Sequence, residues 1–304
     1  MNEMSSPSID LSTLAEQCEM NSDKSFVFNR CGLAALSDFE TPEWRGLFTL
    51  LEHEQSEFLA HEPLFPSPEY KWPRDPLRTW SRAWEYPYIY HHIDLWRSSK
   101  FAGSYSPLIL DIGSGVTFFP FTIAKLGCHV ICADTDPICE EDISRAIECV
   151  DHHPGKVEFR LIDSQGLPFD DGMADAIYCI SVLEHIPDFE KTVEEMARIL
   201  RPGGSLFLTV DLDLRGNAEI GVARYNLLID CLAKWFRLQY PEFPKHPGDT
   251  LISTRGPFPL KDLTGLDWVW FSTKQWLIKP LLGLRPVRYS SLRLAVKGWV
   301  LEKR

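Results

Sequence analysis

The sequence lacks three features that would each point to a particular class of protein. Its eight cysteines include no C-x-x-C pair, the spacing typical of redox and zinc sites, so neither site is predicted. No stretch approaches the roughly 20 apolar residues that a membrane-spanning helix needs. Residues 1–9 carry no positive charge and no long apolar run, and so do not resemble a secretory signal. We therefore expect a cytoplasmic protein whose thiols are reduced and mostly buried.

A positive charge excess is also missing. The 304 residues carry a net charge of −12, which disfavours a dedicated nucleic-acid binder, and no nucleic-acid partner is expected. Residues 255–304 are the exception, because they carry +7 and leave −19 on the rest of the chain. The stretch 274–285 mixes cations with Trp and Leu, which is typical of interfacial segments. This segment is predicted to contact an anionic acceptor, which is nucleotide-linked or lipid-linked, or to contact an anionic membrane surface weakly. The alternative is a solvated basic face that pairs with the acidic body of the protein.

Between residues 106 and 212, short apolar runs alternate with helical patterns. This alternation predicts a parallel sheet wrapped by helices on both faces, which is an α/β fold. The predicted strands are 108–112, 130–133, 157–162, 176–180 and 206–210.

The flanking segments read differently. Residues 1–40 lack periodicity and are interpreted as a poorly ordered or loosely packed arm. Residues 41–105 predict an N-terminal helical cover, since Thr41 and Pro42 suit a helix start. Residues 213–304 predict a substrate-side helix and loop insertion of the same domain. It ends in a closing strand, antiparallel to the others, with a bulge at Gly298.

The chain is organised around the stretch 108–117, LILDIGSGVT. An apolar run ends in Asp111, and Gly113 and Gly115 follow before a helix. The apolar run suits a strand buried on both faces, and glycine lets the backbone approach a ligand closely. This pattern predicts a nucleotide pocket at the carboxyl end of a strand.

Acidic residues after the later strands narrow the choice of nucleotide. Asp134 follows the second strand and can accept hydrogen bonds from two ribose hydroxyls. Asp163 follows the third and can accept one from the adenine amine. Because three carboxylates would repel a pyrophosphate, the set favours an adenosine without phosphates. A nicotinamide dehydrogenase would also need glycine at 118, where Phe118 stands.

These motifs resemble those of class I S-adenosylmethionine-dependent methyltransferases, in the group that methylates small molecules. Asp111–Gly115 is similar to the family's acid-x-Gly-x-Gly loop, and the segments 181–188 and 200–210 are similar to its later motifs. The resemblance covers about residues 105–212. Thr117 departs from it, since many relatives have glycine there.

The resemblance implies a Rossmann-like, doubly wound sheet and S-adenosyl-L-methionine as the cofactor. The cofactor-binding residues that it implies are Asp111, Gly113, Ser114, Gly115, Asp134, Thr135, Asp163, Ser164 and Ser181.

Methyl transfer mainly requires proximity and orientation, and a base only where the acceptor must lose a proton. His185 is the first candidate for that base, and Glu184 and Asp211 are weaker ones. No metal site is predicted. The candidates for closing over cofactor or substrate are Arg82, Trp84, Tyr86 and Tyr90.

The expected function is methyl transfer to an O or N atom of a small-molecule or glycan-like acceptor. One alternative is an inactive, cofactor-binding regulatory protein. Another is a protein or RNA methyltransferase, which the acidic composition disfavours.

Overall fold

A mixed sheet forms the centre of the protein. The computed structural model describes residues 27–65, 67–70, 76–101, 105–163, 166–213, 219–243, 246–260, 269–270, 272–274 and 293–304. The strands are β1 (Gly32–Leu33), β2 (Leu108–Ile112), β3 (His129–Asp134), β4 (Lys156–Leu161), β5 (Ala174–Ile180), β6 (Leu200–Asp213), β7 (Phe236–Leu238) and β8 (Leu294–Lys303). Their order is β1-β8-β6-β5-β2-β3-β4, with β7 also on β8.

The five strands from β2 to β6 pair in parallel, and β8 runs antiparallel to β6, β1 and β7. Every residue of β5 is buried, as expected for a central strand covered on both faces. The predicted α/β fold with its antiparallel C-terminal strand is therefore confirmed.

The helices are α1 (Pro42–His61), α2 (Arg82–Lys100), α3 (Phe119–Lys125), α4 (Pro137–Cys149), α5 (Phe189–Ile199) and α6 (Val222–Trp235). Short 3-10 turns occupy Leu36–Glu40, Glu62–Leu64, Leu183–His185 and Pro247–Asp249. The Thr41 side chain caps α1 by accepting from the Trp44 amide, as the sequence predicts. Helix α2 packs against β6 and β8, which places the N-terminal cover on the sheet.

Residues 27–40 are not the loosely packed arm that the sequence suggested. Arg30 and Asp38 form a buried ion pair, and Asp38 also accepts from the Trp84 indole at 2.7 Å. The Phe28 ring is fully buried against Trp84 of α2. Buried apolar and paired charged side chains therefore fix this segment. Residues 1–26 lie outside the described part of the chain.

Gly298 is not at a bulge, because β8 stays in register with both neighbours there, opposite Thr209 and Gly32. A Cβ at Gly298 would lie 2.6 Å from the Tyr88 ring of α2. The glycine is needed because an aromatic side chain from α2 packs directly on the strand.

Most of the basic stretch 274–285 falls outside the described residues, so its membrane and substrate contacts stay predictions. Within the described ranges, no helix combines the length and apolar composition that a bilayer crossing demands.

Gly298→Ala should destabilise the protein by about 1–3 kcal/mol, because the added methyl overpacks the contact with Tyr88. Gly46→Ala is the matched control, since Gly46 lies inside α1 with nothing within 4 Å of a built Cβ. There, alanine should add about 0.5–1 kcal/mol. Urea unfolding measures both changes, and equal midpoints for the two variants would contradict the packing argument.

His92 should make stability depend on pH. Burial lowers the pKa of His92 to about 3, whereas an unfolded histidine titrates near about 6.5. The unfolded chain binds the extra proton between these values, so stability falls as the pH drops below about 6.5. We expect His92→Gln to reduce this loss by up to about 1 kcal/mol per pH unit. Urea titrations at several pH values test this, and a His92→Gln variant with the same pH dependence as the wild type would contradict it.

Candidate functional site

A cavity of about 970 Å³ opens at the carboxyl ends of the parallel strands. This is the edge where ligands bind in open α/β sheets, since the loops there leave a crevice. The segments after β2, β3, β4 and β5 all contribute to its lining, as do Asp211 of β6 and the start of α2. The cavity collects in one place the polar residues that the sequence scatters over a hundred positions.

The loop after β2 has a shape that only glycine accommodates. Gly113 has φ +74°, and a Cβ there would lie 2.5 Å from the Val182 side chain. Gly115 has φ +55° and lies close to the Tyr70 hydroxyl, 3.0 Å from where its Cβ would be. L-residues are strained at such φ values, so steric room and backbone conformation both require glycine.

Asp134 holds this loop. One carboxylate oxygen accepts from the Gly115 amide at 2.9 Å and the other from the Asp136 amide at 3.0 Å. Because a carboxylate offers about four acceptor positions, Asp134 can still bind two ligand hydroxyls. Thr135 and Asp163 line the cavity beside it. Ser164 lies outside the described residues.

Asp111 lies at the end of β2, directly opposite Tyr178 of β5 in the sheet register. The Tyr178 hydroxyl donates to its carboxylate at 2.8 Å. Burial raises the pKa of Asp111 to about 8, against the lowering effect of this hydrogen bond. Both side chains line the cavity, as does Ser114. A cationic ligand would stabilise the ionised form of Asp111.

Tyr70 belongs to the site, although the sequence offered no signal for it. Its hydroxyl accepts from the Val116 amide at 2.8 Å, next to the glycine loop. The loop that carries it is attached to α4, since Ser67 donates to the Asp142 carboxylate through its amide and its hydroxyl. Tyr70 thus closes one side of the cavity from a segment that reads only as proline-rich loop.

The four closing candidates on α2 divide by helical face. Arg82 and Tyr86 are one turn apart and line the cavity. Trp84 is fully buried on another face, stacked on Tyr88, and does not line it. Tyr90 is buried further along the helix and does not line it either. Thr117, the departure from the family pattern, hydrogen-bonds Tyr86, which explains its place in the loop.

His185 lines the cavity with a half-exposed side chain, and its Nδ1 lies 3.2 Å from the Glu219 carboxylate. Ser181 has φ +48°, which is uncommon for a residue other than glycine and often marks a functional loop. Its hydroxyl donates to Glu85 at 2.6 Å. His185 and Ser181 therefore stand where the sequence placed them, and the roles assigned to them stay predictions.

Three carboxyl groups gather beside Ser181. Glu85 on α2 is paired with Arg82, and it also accepts from the Thr209 hydroxyl at 2.6 Å. Glu184 accepts from the Asp211 amide at 3.0 Å. Burial raises the pKa of Glu184 and of Asp211, and the Glu184 charge raises that of Asp211 further.

The chemistry of this lining fits an adenosine cofactor with a cationic tail. Carboxylates at 111, 134 and 163 offer hydrogen-bond acceptors, and the glycine loop leaves no space for a larger residue. Such a lining would repel a pyrophosphate, because like charges at close range are unfavourable. It suits hydroxyl, amine and sulfonium groups.

Residues 110–208 match the family model described as a methyltransferase domain. A protein of Mycolicibacterium gilvum, described as an uncharacterized methyltransferase, is 31% identical over 43% of this chain and 51% of its own length. A second uncharacterized methyltransferase, from Mycobacteroides abscessus, is 26% identical over 67% of this chain and 81% of its own. The chain thus spans about half the length of the first of these relatives.

Among solved structures, the [4+2]-cyclase SpnF is similar with a TM-score of 0.47 and 15% identity, over 79% of this chain and 86% of that one. The family implies a cofactor of the S-adenosylmethionine type. Residues 110–208 are thus similar to a methyltransferase domain, in a chain whose curated relatives are methyltransferases.

Proposed function

We propose that this protein binds S-adenosyl-L-methionine and transfers its methyl group to an O or N atom of a small-molecule acceptor. The observation that carries the proposal is the glycine loop, where the missing Cβ of Gly113 lets the backbone pack against Val182. The carboxyl groups that line the cavity beside this loop can accept hydrogen bonds from a ligand. When bound, the cofactor supplies a methyl group that is already activated by the sulfonium.

Different residues of the cavity bind different parts of the cofactor in this proposal. Asp134 takes the ribose hydroxyls and Asp163 the adenine amine, since both are acceptors at the cavity edge. Asp111 and Ser181 face the remaining, cationic part. Arg82 lines the same end and offers guanidinium donors to a carboxylate.

The acceptor occupies the part of the cavity between α2, the loop after β5 and Asp211 of β6. The volume lies near the upper end of the range of about 300–1,000 Å³ for small-molecule sites, which leaves room for a second ligand. The side chains that would orient it and exclude water there are Arg82, Tyr86 and His185. Holding the acceptor atom in line with the methyl carbon is the main contribution of the protein.

The first prediction concerns the ligand. Titration calorimetry should show binding of S-adenosylmethionine and of S-adenosylhomocysteine, and none of NAD⁺ at the same concentration, because the acidic lining repels the pyrophosphate. Absence of binding by both adenosyl compounds at millimolar concentration would refute the proposal.

Cofactor that carries a ¹³C-methyl group, incubated with a protein-free small-molecule extract, should then give a labelled product about 15 mass units heavier than its precursor. Binding without any labelled product would favour the regulatory-protein alternative.

The second prediction concerns the loop. Gly113→Ala should weaken cofactor binding at least about tenfold, because the added methyl displaces Val182 or the loop itself. Gly203→Ala is the matched control. Gly203 has φ +72° but nothing within 4 Å of a built Cβ, and it lies outside the cavity lining. Its variant should lose about 1–2 kcal/mol of stability and keep its affinity. Equal affinities for both variants would contradict the close-packing role of Gly113.

A further inference from the structure

The cavity wall at the ends of β5 and β6 holds the carboxyl groups of Glu85, Glu184 and Asp211, and the described cations around it do not pair with all three. Arg82 lowers the pKa of both Glu184 and Asp211 by its charge, but its guanidinium is paired with Glu85. The other oxygen of Glu85 is occupied by the Ser181 and Thr209 hydroxyls. Glu184 and Asp211 remain, and among the described residues no side-chain cation is bonded to either.

Each of these two carboxyl groups has a buried oxygen without a hydrogen-bond donor in the described part of the chain. Glu184 is only 3% exposed. Its Oε1 accepts from the Asp211 amide, but its Oε2 has no partner. Oδ1 of Asp211 has none either. Two buried carboxylate oxygens without a hydrogen-bond donor raise the free energy of the folded state. A single proton held by the pair would remove one negative charge and supply one hydrogen-bond donor.

We propose that Glu184 and Asp211 hold one proton between them and form the proton acceptor of this site, with Asp211 facing the methyl acceptor. The inference rests on the proposed function and narrows its substrate class. The acceptor is then a molecule whose nucleophilic oxygen or nitrogen must lose a proton during methylation. Asp211 is the catalytic residue because it lines the cavity, and Glu184 is a positioning residue behind it.

The balance of the step is simple. The acceptor heteroatom forms a bond to the methyl carbon while the carbon–sulfur bond breaks, and the electron pair of that bond stays on sulfur. The proton leaves the heteroatom for the carboxylate of Asp211. An acceptor hydroxyl becomes a neutral methyl ether. A protonated amine first gives one proton to Asp211, which frees its lone pair to attack, and the product leaves as a methylammonium ion.

Several charged groups surround the pair and set its proton affinity. Arg82 favours ionisation, whereas Glu85 and Glu219 oppose it. Arg224 binds the backbone carbonyls of Glu184 and Ile186, and so adds a nearby positive charge. His185 faces the same region through Glu219.

The deciding experiment needs no turnover. Carbon-13 labelling of the Asp and Glu carboxyl groups is followed by an NMR pH titration of the cofactor-free protein. The signals of Glu184 and Asp211, assigned by their loss in the two variants below, should show a proton retained above about pH 6, where ordinary acids are ionised. The signal of Asp111, whose pKa burial also raises, is assigned separately from its loss in Asp111→Asn. In Asp211→Asn and in Glu184→Gln, the remaining carboxyl should titrate lower by about one pH unit or more, because its repelling partner is gone. Asp230→Asn, at an exposed position on α6, should change nothing. A wild-type protein in which both groups titrate near about pH 4 would overturn the proposal.

Kinetics supplies the second arm, with phenol, benzyl alcohol and benzylamine as probes beside the acceptor found in the extract. Asp211→Asn should lower kcat by about 10²- to 10⁴-fold, and its cofactor affinity should stay within about twofold. Asp211→Glu should recover part of the rate, and Glu184→Gln should move the acid limb of the kcat profile to lower pH. A loss of rate in His185→Gln but not in Asp211→Asn would assign the base to His185 instead.

The two proposals fail in different ways. A wild-type protein that does not bind S-adenosylmethionine refutes the proposed function, while the carboxyl titration still reports on the shared proton. Normal cofactor binding together with ordinary carboxyl titration refutes the shared proton alone.

Discussion

The absence of a Cβ at Gly113 is the constraint on which the site depends. Gly113 has a left-handed backbone conformation and packs against Val182, the second residue after β5. The loops that follow β2 and β5 therefore contact each other directly, through the backbone of Gly113 and the side chain of Val182. Asp134 then fixes the position of Gly115 from the end of β3. Three strands that are neighbours in the sheet are thus joined at their carboxyl ends. A larger residue at 113 would push these loops apart and change the shape of the cavity wall that they form.

Helix α2 connects this part of the cavity wall to the rest of the molecule. On one face, Glu85 accepts from Ser181 and Thr209, which ties the helix to the ends of β5 and β6. On another, Trp84 and Tyr88 hold the N-terminal segment and lie against Gly298 of β8. The same helix therefore shapes one side of the cavity and stabilises the antiparallel edge of the sheet. The carboxyl pair beside Glu85 is buried because α2 covers that side of the sheet.

Local sequence signals were sufficient wherever a residue's role depends on its own segment. The N-cap at Thr41, the alternation of strands and helices, and the order of the acids after the strands all follow from spacing and side-chain chemistry. Segments whose order depends on distant partners were misjudged. Residues 27–40 lack periodicity, yet Arg30, Asp38 and Phe28 are fixed by contacts with α2. Trp84 and Tyr90 were predicted, with Arg82 and Tyr86, to close over the cavity. Because they lie on other faces of the helix, both are buried in the core instead.

The sequence by itself determined the glycine loop, the acids that follow the strands and the α/β alternation, because each depends on local spacing and side-chain chemistry. Only the tertiary structure decided that Tyr70 covers the loop, that Tyr178 bonds Asp111, and that Glu184 and Asp211 share a buried wall with Arg82 and Glu85. The reason is physical. Proton affinity and cavity shape depend on which side chains exclude water from one another, and those side chains come from segments that lie between 27 and 124 residues apart in the chain.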